Sequence, residues 1–339
     1  MNVRSGLRLV PLLLGVLLVA AFVARIGVRS ILEQLSQLGP GALAVVVPYA
    51  AGTALSGLPW AWLLEPRKRP SASAAIASRF AASGANSLLP LFGVAGEPCR
   101  LLWLPSAARA EGLAAIVVDR LLYNAVNGLW LLLGAVAAFA TRLPPLTSGL
   151  AAAVGVGMFG FSLLALRAVA RWKLAHGLQR LLRRLLGNAY RDPEIAARVD
   201  TALQRLLEAP ARPLLVKGLL VHCAARVFIS AEVLVALWSL RAPTTFTEAL
   251  VLSSVPIATS VVASSIPSQM GIQEGAQAFI CAALGHDPAL GLVLVLLGRL
   301  RQLVFLPLTL GLLAAARPPT VVASAAPAAG AREGERPAL

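Results

Sequence analysis

Of the 339 residues, 58% are hydrophobic and only 13% are charged, with a mean hydropathy of +0.78 and a net charge of +15. A soluble domain carries about 25% charged residues, and several apolar runs here reach the roughly 20 residues that cross a hydrocarbon core as a helix. These values exclude an ordinary globular enzyme, a wholly disordered chain and a disulfide-stapled secreted domain, and they leave an all-α polytopic membrane protein.

The first apolar run, Leu7 to Val23, has Arg4 and Arg8 at its start and lacks a small-residue cleavage site. It reads as a transmembrane helix that starts in the cytoplasm. A second span, Gly41 to Leu64, ends in the basic turn Pro66-Arg67-Lys68-Arg69-Pro70, which also belongs in the cytoplasm. Ser71 to Phe92 is rich in Ser, Ala, Gly and Asn and closes on a proline, a composition suited to a broken helix buried in protein. Spans follow at Leu113 to Ala140 and Leu146 to Leu166, joined by a short Thr-Arg-Leu-Pro-Pro turn. With the basic loop after Leu166 in the cytoplasm, the parity of crossings makes 71–92 a re-entrant segment.

Residues 168–212 form an inserted cytoplasmic region. Leu174, Leu178, Leu181, Leu182 and Leu185 share one helical face among Arg180, Arg183 and Arg184. Ile195, Val199, Leu203 and Leu206 repeat the pattern after Asp192-Pro193. An apolar stripe flanked by arginines suits an anionic lipid surface, contacted through 171–212, or an ordinary helical hairpin. Leu214 to Leu240 crosses next, Phe246 to Leu284 is interrupted at Ser264 to Gly271, and Leu290 to Ala315 crosses back. The tail, 317–339, is Ala, Pro, Gly and charge and is expected to be disordered. The domain is therefore 1–316, with about six full spans and two broken hairpins.

The two breaks resemble each other. Pro90, Gly93, Gly96 and Glu97 mark the first, and Pro267, Gly271 and Glu274 the second, with each Glu seven residues after its Pro. Paired interrupted segments that enter from opposite faces point to an inverted-repeat transporter. Charges inside the apolar runs cluster near these breaks. They are Arg79, Glu97, Arg100, Asp119, Arg120, Arg226, Glu232, Glu274, Arg299 and Arg301. Each is costly in hydrocarbon and so is expected to face a cavity or a partner, Glu97 with Arg100 being one candidate pair. Arg226 and Glu232 stand six apart, too far for an i, i+4 pair. Guanidinium groups suit phosphate, and carboxylates suit a neutral polar head.

Positive charge is read here as cytoplasmic loops and contact with anionic lipid, with no nucleic acid as partner. Cys99, Cys223 and Cys281 stand far apart, as do His176, His222 and His286. No pair has metal-ligand spacing, and no metal or other cofactor is expected. No nucleophile-base arrangement is visible, so the chain is read as a non-enzyme.

Asn86-Ser87-Leu88-Leu89-Pro90-Leu91-Phe92-Gly93-Val94-Ala95-Gly96-Glu97-Pro98-Cys99-Arg100 resembles the N-x-x-L-P-x-x-x-G-G-E-x-x-R motif of the lysylphosphatidylglycerol synthase transmembrane family of flippase-like proteins. Val117-Val118-Asp119-Arg120 is similar to the family's next acidic-plus-Arg span, and Pro267 to Gly275 to its P-x-x-x-G-x-x-E-G signature. Arg299 and Arg301 match the Arg pair of its last span, so the likeness covers about residues 5–316. One departure is Ala95, which stands where the family has the first of two glycines.

The resemblance implies a multi-pass protein of the cytoplasmic (inner) membrane that moves a polar lipid between leaflets. Its implied substrate contacts are Asn86, Glu97, Arg100, Asp119, Arg120, Glu274, Arg299 and Arg301. It is most similar to the stand-alone, hopanoid-associated branch. An accessory subunit beside a lipid-biosynthesis enzyme, or a headgroup-modifying enzyme, are the alternatives.

Overall fold

A computed structural model describes residues 41–88, 96–141, 143–171, 193–263, 269 and 271–316. The expected Leu7 to Val23 span, Pro90, Gly93, Ala95, Pro267, the 174–185 stripe and the 317–339 tail lie outside the described residues. All regular structure among the described residues is helical. The order is α1 (Gly41–Leu55), α2 (Pro59–Trp62), α3 (Ala72–Leu88), two 3-10 turns (Glu97–Trp103 and Ser106–Ala108), α4 (Arg109–Phe139), α5 (Pro145–Arg171), α6 (Pro193–Leu207), α7 (Arg212–Ser239), α8 (Phe246–Val262), α9 (Ile272–Ala283) and α10 (Pro288–Ala315).

Among the described residues, four helices are long and apolar enough to cross a membrane: α4 with its leading 3-10 turn, α5, α7 and α10. They correspond to four of the spans read from apolar run length. The expected single span from Gly41 to Leu64 is instead divided. Ser56-Gly57-Leu58 makes a turn, and Pro59 has no N–H to give back to the preceding helix. Arg69 then folds over the stub, donating to the carbonyls of Ala61, Trp62 and Leu64 at 3.1, 3.0 and 3.2 Å. The basic turn therefore caps α2 as well as carrying charge.

The second interruption is observed as read. α8 and α9 are separate helices flanking residues 263–271. α8 starts with a reciprocal cap in which Thr245 Oγ1 accepts from Glu248 N–H and Glu248 Oε2 accepts from Thr245 N–H. Gly271 starts α9 at φ 81°, a conformation that glycine adopts without strain.

Among the described residues two apolar cores form. One gathers Trp60, Ala114, Val118 and Leu122 with Val199 and Leu203 of α6, whose stripe thus packs on protein. The other joins Val45, Leu237, Leu252, Cys281 and Val293. Outward-facing Leu146, Leu150, Phe161 and Leu164 leave α5 with an exposed apolar face suited to lipid.

α1 crosses α7 closely at Gly52, where an added Cβ would stand 2.6 Å from both Ala225 O and Ile229 Cγ1. Gly52→Val is expected to cost about 2–3 kcal/mol by overpacking against backbone. Gly157→Val, which meets nothing within 4 Å, should be silent. Thermal unfolding in detergent, followed by a thiol-reactive dye reaching fully buried Cys281, checks both.

Candidate functional site

Asp119 lies inside α4, where the helix offers no partner for a carboxylate, and its partners come from other elements. Arg100, from the first 3-10 turn, is fully buried. One nitrogen, Nη1, donates to Glu97 Oε2 at 3.0 Å and to Asp119 Oδ2 at 2.9 Å. His222 Nε2 of α7 lies 2.9 Å from the other Asp119 oxygen. Arg79 of α3 donates to Glu97 Oε1 at 3.0 Å and to Ser56 Oγ at 3.2 Å. Arg120 Nη1 stands 3.6 Å from the same Glu97 oxygen. The guanidinium of Arg100 also stacks on Trp60, 4.7 Å from the ring centre, and those of Arg79 and Arg120 stand 5.1 and 5.2 Å from the ring centre of Tyr123.

The expected Glu97–Arg100 pair is present, as one edge of a larger network joining α3, the 3-10 turn, α4 and α7. Asn86 has a structural post at the end of α3, where its Oδ1 accepts from Gly96 N–H at 2.7 Å and ties the two sides of the first break. Gly96 is needed for close approach rather than for a left-handed backbone. Its φ is −82°, and a Cβ there would stand 2.2 Å from Ala82 O.

The second break has a parallel construction. Glu274 Oε2 accepts from Gly271 N–H at 2.8 Å, and Glu274 Oε1 accepts from Arg299 at 3.0 Å. Glu232 pairs with Arg301, whose guanidinium stacks 3.5 Å from the ring centre of Tyr49. The separation of Arg226 from Glu232 is resolved this way: each turns to another element.

A cavity of about 240 Å³ opens among α1, α3, α7 and α10. Arg79, Arg226, Glu232, Arg299 and Arg301 line it, drawn from α3, α7 and α10, together with Tyr49 and Tyr123. Glu97, Arg100, Asp119 and Glu274 stand behind this wall, each at most 4% exposed; Glu97 holds Arg79 and Glu274 holds Arg299. The α8–α9 pair separates two environments. Ser253 and Gln277 face the polar cavity, while Val255, Ile272 and Phe279 line an apolar pocket of about 360 Å³. Among the described residues no group of three or more His, Cys, Asp or Glu is arranged to hold a metal ion.

The sequence profile of the family described as the lysylphosphatidylglycerol synthase TM region matches residues 8–311. The chain belongs to this family. No curated protein and no solved structure matches it. As a member of the lysylphosphatidylglycerol synthase TM family, the chain is a multi-pass membrane protein linked to lipid handling.

In this family member, several cavity and network residues escaped the motif reading: His222, Tyr49, Tyr123, Ser253 and Gln277. His222 had a usable signal, since it stands one turn before Arg226 on the same face of α7. Tyr49 and Ser253 had none, because only the crossing of their helices brings them to the arginines.

Proposed function

We propose that the protein moves a polar-headed lipid between the leaflets of the cytoplasmic membrane. The observation that carries this reading is the cavity walled by arginines from α3, α7 and α10. Buried ionisable groups in membrane helices mark substrate paths, because hydrocarbon penalises them and only a partner, water or a polar ligand compensates. Irregular backbone at that depth is tolerated where it lines such a space. A volume of about 240 Å³ suits a headgroup, not a whole lipid. On this reading the acyl chains stay in the bilayer as the head passes. The N-terminus is taken as cytoplasmic from Arg4 and Arg8, and no catalytic role is assigned.

The test is leaflet exchange in proteoliposomes, using a headgroup-labelled phospholipid and, in a second series, a labelled hopanoid-related lipid. A membrane-impermeant quencher should reach more label in vesicles containing the protein than in empty ones. Equal quenching with both labels would sink the reading.

An accessory role is the second reading. Its support is α6, which docks its apolar stripe on α4 and leaves Arg198 and Arg205 largely exposed, with side chains 64% and 67% accessible. This face of the 171–212 region would hold a lipid-biosynthesis enzyme or an anionic lipid surface. An enzyme that co-purifies with the intact protein, and is lost when Arg198 and Arg205 are changed to Gln, would favour it.

A further inference from the structure

Four guanidinium groups face the central cavity, and three have a carboxylate in contact: Arg79 with Glu97, Arg299 with Glu274 and Arg301 with Glu232. The fourth, Arg226, is 8% exposed and has no carboxylate oxygen within 4.0 Å among the described residues. The group it hydrogen-bonds is neutral, and Glu232 acts on it only from beyond contact distance. Nη2 donates to the carbonyl of Ser253 at 3.2 Å, and Tyr123 stands on the same cavity wall. Its Nε–H is buried with no acceptor, as is that of Arg301, so the missing carboxylate is what sets Arg226 apart. Gln277, also on the cavity wall, gives its amide N–H to Leu252 O at 3.1 Å.

A buried cation without a counter-ion is among the more costly arrangements in a protein. The three neighbouring arginines show that this fold can supply a carboxylate to an arginine when it needs one. At Arg226 it does not, although Glu232 stands two turns along the same helix, and that carboxylate is taken by Arg301. The guanidinium fork suits the paired oxygens of a phosphate ester better than any other common anionic headgroup.

We propose that Arg226 is the specificity-determining contact of the cavity, reading a phosphate ester in the ligand and discriminating it from uncharged polar heads. This deepens the translocation reading and rests on the same cavity. The phosphate belongs to a lipid headgroup or to a soluble phosphate ester, and both present the same oxygens to Arg226.

The test measures binding and needs no transport. Purified full-length protein in a non-ionic detergent is titrated with a fluorescent dioctanoyl phosphatidylglycerol. This probe is then displaced by its unlabelled form, by dioctanoylglycerol or by glycerol 3-phosphate. In the wild-type protein the phospholipid should compete about tenfold or more better than dioctanoylglycerol, the value of a charge-assisted hydrogen bond. Arg226→Gln should erase that preference, and Arg226→Lys should keep part of it.

Equal competition by phospholipid and dioctanoylglycerol in the wild type overturns the proposal without recourse to any variant, so a folding defect cannot shield it. A folded Arg226→Gln protein that retains the preference overturns it too. Competition by glycerol 3-phosphate as strong as by the phospholipid supports Arg226 with a soluble ligand, and weak competition supports it with a lipid. The two readings fail separately. Phosphate-selective binding without leaflet exchange removes translocation and keeps the subsite, whereas leaflet exchange without phosphate preference does the reverse.

Discussion

Arg100→Met should cost about 3–5 kcal/mol of stability, the range for removing one partner of a buried ion pair. The side chain is 1% exposed, and its Nη1 is shared by Glu97 and Asp119. Its loss leaves Asp119 with His222 alone and takes from Glu97 one of three guanidiniums. The residue also carries the stacking on Trp60, in the core that joins α4 and α6, so packing is lost together with charge. At about 2–4 °C per kcal/mol the melting temperature should fall by roughly 10 °C. Dye labelling of Cys281 during a thermal ramp in detergent reads this directly. Arg100→Lys keeps the charge but lacks the planar fork, and it should recover only a fraction. A melting curve for Arg100→Met that overlays the wild type would show that the network does not hold the fold.

The Glu232–Arg301 pair should behave differently, because it borders the cavity and is partly solvated, with side chains 12% and 14% exposed. Glu232→Gln or Arg301→Gln alone is expected to destabilise by about 1–3 kcal/mol, less than for the fully buried network. The double variant should cost less than the sum of the two, with a coupling of about 0.5–3 kcal/mol between contacting groups. Leaflet exchange provides a second readout. Each single change alters the net charge facing the cavity by one, and the double change restores it. Exchange should therefore slow in both single variants and recover in the double. Additive melting shifts in the double variant would show that the two groups do not interact, and exchange as slow as in the worse single variant would show that the pair itself, not the charge balance, governs passage.

Much of this was legible before any fold was known. Apolar run lengths located α4, α5, α7 and α10, since a helix must satisfy its own backbone in hydrocarbon and needs about 20 apolar residues to cross it. The spacing of Pro, Gly and Glu located both breaks, and the same residues carried the likeness to the lysylphosphatidylglycerol synthase TM family. The division of 41–64 at Pro59 was readable in principle, because a proline that denies a backbone donor was in plain sight.

Only the tertiary structure decided which charges meet. Neighbours at i, i+3 or i, i+4 can be read along one helix, and Glu97 with Arg100 was found that way. Asp119 with Arg100 and His222, Glu97 with Arg79, and Glu232 with Arg301 join residues 18 to 103 positions apart. Those meetings depend on where helices cross and how each is rotated about its axis, and small residues such as Gly52 set how closely they approach. The same geometry moves Glu97 and Glu274 behind the cavity wall and brings Arg226 to its face with no carboxylate in contact among the described residues. Sequence spacing determines which side chains share a helix face, whereas the crossing of one helix over another determines what that face is given to bind.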